Sequence, residues 1–400
     1  MMARMTTTTN TSRRASLLAL LALGLIACGG PDKPVVTPAP MAITPATPDT
    51  SAPPQPALTA TPPPAATAPA APSEQALPPP KPTTISLAHT GDEKLDLILA
   101  QGDKSFEDGD LVKAASAYKS AMILAPKRSA PIVGSARVRA AKASPSLGFA
   151  AAEKSSEVIA AAKDLKRAAD LEPTFGPAQV ELGRAYLLLG DATNAEGALR
   201  KGARLLPDDA EAHSALGVAL LAMGKSEEAL TELMRARELD PGSAARRGNL
   251  GTVLFMRGRV ADAIKEYEIE VRLVPDDPRA HSDLGTALLA QSDFTRAIPE
   301  LRRAIQLDPK RATFRSNLGY ALQLSGKVSD AVAEYREAIK LDPKLSSAWI
   351  NLATALSRDP KTRGEARQAL KTAAGLDPSD PRVKANLEEL DALEKGTQKP

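Results

Sequence analysis

The chain has 400 residues, of which 43% are hydrophobic, 25% charged and only 3% aromatic, with a formal charge of +3. Leaving out Arg4, Arg13 and Arg14, which lie in a segment expected to be removed, basic and acidic side chains balance at 48 each. That balance and the scarcity of rings exclude the electrostatic footprint and stacking platforms of a nucleic-acid binder, and the lone Cys28 excludes a disulfide framework or a Cys-rich metal cluster.

At the N-terminus, Arg13 and Arg14 precede an apolar run from Leu17 to Ala27. Its length suits the apolar region of an export signal and is too short to span a bilayer core of ~30 Å. The run ends Leu25-Ile26-Ala27-Cys28-Gly29-Gly30, which resembles the bacterial lipobox. The resemblance implies that residues 1–27 are a cleaved lipoprotein signal peptide and that Cys28 carries the lipid. Each buried methylene adds ~0.8 kcal/mol of membrane affinity, so two or three acyl chains make a stable anchor. Gly29 stands where an Asp would retain such a protein at the inner membrane of enteric bacteria. The expected location is therefore a bacterial cell envelope, at the outer membrane, with the body in the periplasm or exposed at the surface.

Residues 28–91 read as the lipidated cysteine and a disordered tether. Of the 34 prolines, 18 fall between Pro31 and Pro82 among Ala and Thr, with few charges and no hydrophobic period. Such a segment cannot bury enough apolar surface to fold. As polyproline II, at ~3.1 Å per residue, it reaches on the order of 150 Å.

From there on the sequence repeats. Prolines recur at Pro173, Pro207, Pro241, Pro275, Pro309 and Pro343, each 34 residues after the last, and then at Pro378 after 35. With that proline at position 32, position 7 holds Leu182, Leu216, Leu250, Leu284, Leu318 and Leu352. Position 8 holds Gly183, Gly217, Gly251, Gly285 and Gly319, then Ala353, and position 20 holds Ala195, Ala229, Ala263, Ala297 and Ala331. Small residues at 8 and 20 let two helices approach closely, and Gly190, Gly224, Gly258 and Gly326 sit where the first helix must end at a positive φ. This pattern resembles the tetratricopeptide repeat (TPR). The fold expected is all-α: a right-handed TPR solenoid of about eight helix-turn-helix repeats. Its units are 95–128, 129–175, 176–209, 210–243, 244–277, 278–311, 312–345 and 346–380, within a body of 92–395 that ends in a capping helix at 381–395, with a tail at 396–400. The unit 129–175 is thirteen residues too long, and the unbroken stretch from Phe149 to Leu171 predicts a long, protruding second helix after an insertion around Ala143 to Ile159. Glu270 stands at position 27, normally Ala, and is expected to turn toward a rim.

In TPR proteins the first helix of each unit lines a concave groove through positions 2, 5, 6, 9, 12 and 13. Position 6 here is Glu181, Ala215, Asn249, Asp283, Asn317, Asn351 and, in the terminal helix, Asn386; position 5 beside it is small at Gly248, Ser282 and Ser316, and position 9 is Thr252, Thr286, Tyr320 and Thr354. A carboxamide both donates and accepts, so a row of them can hold the N–H and C=O groups of an extended peptide. The row resembles the asparagine ladder of the O-linked GlcNAc transferases, whose catalytic domain has no counterpart in the sequence. These side chains predict a groove that is roomy, polar and nearly uncharged, and it does not resemble the carboxylate clamp of chaperone-binding TPRs, for which only Arg279 qualifies. No acid, base or nucleophile constellation is apparent, and no metal or cofactor is expected: His213 and His281 share position 4 two repeats apart, too far to share an ion. The expected function is a membrane-tethered scaffold or adaptor, not an enzyme, with protein partners and neither a nucleic-acid nor a small-molecule ligand. The alternative is a structural spacer or self-associating envelope protein.

Overall fold

The computed structural model describes residues 84–143 and 155–396. Cys28, the signal sequence, most of the tether and the greater part of the insertion lie outside them. Seventeen helices and no strand are present among the described residues. They form eight pairs and a final single helix: α1 (Glu93–Glu107) with α2 (Leu111–Leu124), α3 (Ser129–Ala143) with α4 (Ser156–Leu171), α5 (Gly176–Leu188) with α6 (Ala192–Leu205) and α7 (Ala210–Ala222) with α8 (Ser226–Leu239). The second half continues with α9 (Ala244–Met256) and α10 (Val260–Leu273), α11 (Pro278–Ala290) and α12 (Phe294–Leu307), α13 (Ala312–Leu324) and α14 (Val328–Leu341), α15 (Ser346–Leu356) and α16 (Arg363–Leu376), and then α17 (Pro381–Glu394). None of these helices is long and apolar enough to cross a membrane.

The pairing follows from the smallest side chains. A Cβ placed on Gly102, Gly217, Gly251, Gly285 or Gly319 would lie 2.5–2.7 Å from the residue at position 24 of the partner helix, Tyr118, Leu233, Tyr267, Leu301 or Tyr335. Position 8 is therefore glycine because a large side chain fills its place. Ala114, Ala195, Ala229, Ala263, Ala297 and Ala331 are wholly buried opposite. The turn between the two helices needs a left-handed residue, and Gly109, Gly190, Gly224, Gly258 and Gly326 supply it at φ between 73° and 84°. In the sixth unit Ser292 takes that conformation at φ 60°, alone among the described non-glycine residues.

Each helix packs on the next in order, and the first helices of successive units also touch one another, as α1 does α3, α5 does α7 and α13 does α15. The array therefore curves with its first helices on the inside. One apolar core runs from Val180 to Leu390, and a second fills units one to three. The terminal helix α17 covers the open end with Val383 and Leu390, while Arg367 pairs with Asp391 at 2.5 Å and Glu394 at 2.7 Å on its outer side.

Two expectations change. The second helix of the long unit begins at Ser156, where the Ser155 hydroxyl accepts from Val158 N–H, so it does not run on from Phe149; at 16 residues it exceeds its 14-residue counterparts by half a turn. The expected tether also ends early, because residues 84–91 are held against the first repeats instead of trailing from them.

Candidate functional site

At position 6 each asparagine from Asn249 on is tied to the unit before it. Asn249 Nδ2 donates to Ser214 Oγ at 3.3 Å, Asn317 to Ser282 at 3.3 Å and Asn351 to Ser316 at 3.5 Å. The acceptor is the position 5 hydroxyl of the preceding unit. Where that position is Ile350, Asn386 turns instead to the Thr354 hydroxyl at 3.0 Å. Each carboxamide thus keeps its carbonyl and a second N–H beyond the bond shown. The threonines at position 9 bond backward within their helices, Thr252 Oγ1 to Gly248 O at 2.9 Å, Thr286 to Ser282 O at 2.8 Å and Thr354 to Ile350 O at 3.0 Å. Thr252 also meets the Tyr267 hydroxyl at 3.2 Å, and Tyr320 lies half-buried beside them, its phenol pKa raised by burial.

Asp283 breaks the row, and it does so together with two neighbours. Its counterpart at position 5 of the preceding unit is Gly248, which has no hydroxyl to offer. A Cβ on Gly248 would collide with Glu270 Oε1, so the glycine makes room for a carboxyl group. Glu270 does not reach a rim: its Oε2 is enclosed without a hydrogen-bond partner. Burial, with the charges of Asp283 and Asp277, pushes its pKa far above the carboxylate range. Burial raises Asp283 to about 7, with Arg279 opposing and Asp277 adding to the rise. Two half-buried carboxyl groups, Glu270 and Asp283, thus bear on each other's charge.

The groove is not uncharged in its first half. Arg137, 4% exposed, donates to Asp103 at 3.3 Å and Glu181 at 2.9 Å. Arg184 lies 3.8 Å from Glu181 and 3.3 Å from Glu211, and Arg246 lies 3.6 Å from Glu211 and 3.3 Å from Asp240. Burial alone would raise Glu181, but Arg137 and Arg184 outweigh it and hold its pKa low; Glu211, with longer contacts, stays raised by burial. This alternating chain links units one to five along the inner helices. Sequence reasoning missed it because Asp103 and Arg137 lie in the two least regular units, although Glu181 at position 6 signalled it.

Position 4 does a different job. His213 Nδ1 meets Glu232 at 2.6 Å and Nε2 meets Pro207 O at 3.0 Å; His281 does the same with Glu300 at 2.6 Å and Pro275 O at 2.9 Å. Arg247 makes the equivalent bonds to Glu266 and Pro241 O, and Trp349 donates to Pro343 O at 3.0 Å. These side chains clip units four, five, six and eight to the proline turn before each. The two histidines are accounted for by that packing.

A tetratricopeptide repeat family model matches residues 214–278, 282–346 and 324–381. The crystal structure of the APC/C hetero-tetramer Cut9–Hcn1 is similar over 76% of this chain and 57% of its own, at 17% identity and a TM-score of 0.57. YrrB, described as a TPR protein with an unusual peptide-binding site, is similar over 48% of this chain and 99% of its own, at 22% identity and a TM-score of 0.38. The C-terminal part of a TPR repeat-containing protein from Cytophaga hutchinsonii covers 60% of this chain with 99% of its own, at 16% identity and a TM-score of 0.43. No curated protein matches the sequence. At 17% identity the likeness to Cut9–Hcn1 speaks to fold alone.

Proposed function

We propose that this chain, a protein built of tetratricopeptide repeats, is a membrane-tethered scaffold that holds a partner protein or extended peptide against its concave face and performs no chemistry on it. TPR proteins mediate protein–protein interactions, and that much applies to this array as a class. The observation that carries the finer reading is the row of Asn249, Asn317, Asn351 and Asn386, in register on successive inner helices, each with hydrogen-bonding capacity beyond the bond to its neighbour. Asp283 interrupts the row with a carboxyl group, and Thr252, Thr286, Tyr320 and Thr354 flank it. Cys28, through its lipobox-like context, is the proposed lipid attachment site, which puts the array at a bacterial envelope membrane with the Pro-rich segment between.

The bonds to Ser214, Ser282 and Ser316 favour a second reading, in which the ladder only joins repeats and the array is a spacer. The two readings separate by comparing two triple variants. Asn249, Asn317 and Asn351 to Ala removes both the inter-unit bonds and the free carboxamide groups. Ser214, Ser282 and Ser316 to Ala removes the inter-unit bonds alone. With a partner first captured by photo-cross-linking from position 320 in cells, the Asn triple is expected to bind it ten- to a thousandfold more weakly, at ~0.5–1.5 kcal/mol per lost bond, while the Ser triple keeps its affinity. Equal affinity in both variants, with helicity intact, removes the groove reading.

A further inference from the structure

The segment before the first helix lies in the groove, held by residues at the positions that line the groove. Leu87 N–H donates to Asp103 Oδ2 at 2.7 Å, and Arg137 Nη2 donates to Ile85 O at 2.8 Å. Asp103 and Arg137 are the position 9 residues of units one and two. Ser86 Oγ also reaches Asp103 at 3.3 Å, and Thr84 Oγ1 donates to Glu107, position 13 of the first unit, at 2.6 Å. The side chains alternate. Ile85, 4% exposed, joins the core that contains Val180 and Leu187, at positions 5 and 12 of the third unit; Leu87, fully buried, joins the cluster that contains Leu95 and Leu99. Ser86 and Ala88 between and after them stay half-buried.

This is how a groove holds a ligand: main-chain N–H and C=O to fixed side chains, and alternate side chains into pockets. The grip itself is prepared independently of the segment. Asp103 Oδ1 is held by Tyr118 OH at 2.8 Å, and Arg137 by Asp103 and Glu181, so donor and acceptor are aimed before the segment arrives. The link to the body is the short turn through exposed His89 to Gly91, which sits at φ 80°.

We propose that the groove of units one to three is a peptide-binding site specific for an extended segment with two aliphatic side chains two residues apart, and that Thr84–Ala88 is its resident, exchangeable occupant. A partner segment of the same Ile-x-Leu chemistry enters by displacing it. The inference rests on the reading of the concave face as a binding surface, but its site is distinct from the asparagine row. An intramolecular ligand on so short a link works against a millimolar effective concentration, so the intact chain binds such a peptide far more weakly than an opened one.

The test uses the full chain and a fluorescent peptide of residues 82–90. A protease site inserted between Ala88 and His89 lets the segment be cut from the body, and a second chain carries Ile85→Asp with Leu87→Asp. Peptide anisotropy is expected to report at least tenfold tighter binding to the double-Asp chain than to the intact one, and the same peptide in excess is expected to release the cut N-terminal piece. A peptide carrying the two Asp substitutions should not bind. Loss of helicity on cutting or in the double-Asp chain, retention of the cut piece against excess peptide, or absence of peptide binding to the folded double-Asp chain each overturns the proposal. A captured partner that still needs Asn249, Asn317 and Asn351 would then leave the groove reading standing by itself.

Discussion

At the scale of single residues, the most informative departures from the repeat are Gly248, Glu270 and Asp283, because they are linked: Glu270 fills the space that a Cβ on Gly248 would take, and Asp283 bears on its charge. Each alone reads as noise: a Gly at a serine position, a Glu at an alanine position, an Asp at an asparagine position. Together they replace one rung of the Asn–Ser ladder by two half-buried carboxyl groups, and the cost shows in their titration. Asp283 is raised by burial from 3.8 to about 7, so the folded state binds a proton that the unfolded state has released. Stability must therefore fall as pH rises between about 4 and about 7, by on the order of a few kcal/mol, and Glu270 acts in the same direction. His213 also has a raised pKa, through its bond to Glu232 despite burial, so its contribution is full below pH ~6.5 and is lost only above that. The window from pH 4 to 6 isolates the carboxyls. Asp283→Asn should make the fall of urea-unfolding stability across that window shallower, leaving the part contributed by Glu270 and the likewise raised Glu211; an unchanged slope would show that Asp283 is ionised in the folded state.

At the scale of the helix pair, nearly everything was legible from the 34-residue period. The glycines at position 8, the alanines at position 20 and the turn glycines each answer a steric demand that recurs once per unit, so spacing alone identified them. What spacing could not reveal is contact with no period. The Ser155 cap that starts α4 is a local hydrogen bond within an irregular unit, and the segment Thr84–Ala88 carries only two aliphatic residues, too few to show a pattern against the Pro-rich background before it. The asparagines were found by register, but their serine partners were read merely as small; that a position 6 amide faces the position 5 hydroxyl of the preceding unit follows from superhelix geometry, which one unit does not contain. Gly285 tests the steric argument. Its missing Cβ would stand 2.7 Å from Leu301 Cγ and 3.3 Å from Ala297 O, and the carbonyl cannot rotate away as a side chain can. Gly285→Leu is expected to lower unfolding stability by ~1–3 kcal/mol, read as a shift in the urea midpoint. A shift within error would mean that the helix pair separates freely, contrary to the packing seen at all five glycines.

At the scale of the whole molecule, the array joins two kinds of inner surface on one scaffold. Units one to five are stitched by alternating charges from Asp103 to Arg246, and units four to eight by amides and hydroxyls except between units five and six, where Asp283 faces Gly248. Both sets of bonds run only between neighbours, as does the core, in which each helix meets the one before and the one after. A molecule built this way has stability that is local and additive along its axis. The terminal helix makes the sharpest test, since α17 packs on α15 and α16 and seals the end of the core with Leu390, which is fully buried. Removing residues 381–400 would uncover the apolar faces around Leu356 and Leu370. Hydrogen exchange is then expected to show lost protection in α15 and α16, a smaller loss in α13 and α14, and none in α1 to α6, together with a tendency of the shortened chain to associate through its open end. The gradient is the diagnostic quantity. Protection lost evenly from α1 to α16 would show instead that the array opens as one cooperative unit, and that the ion-pair chain and the amide ladder couple its ends, so that a partner seated on one half would be felt in the other.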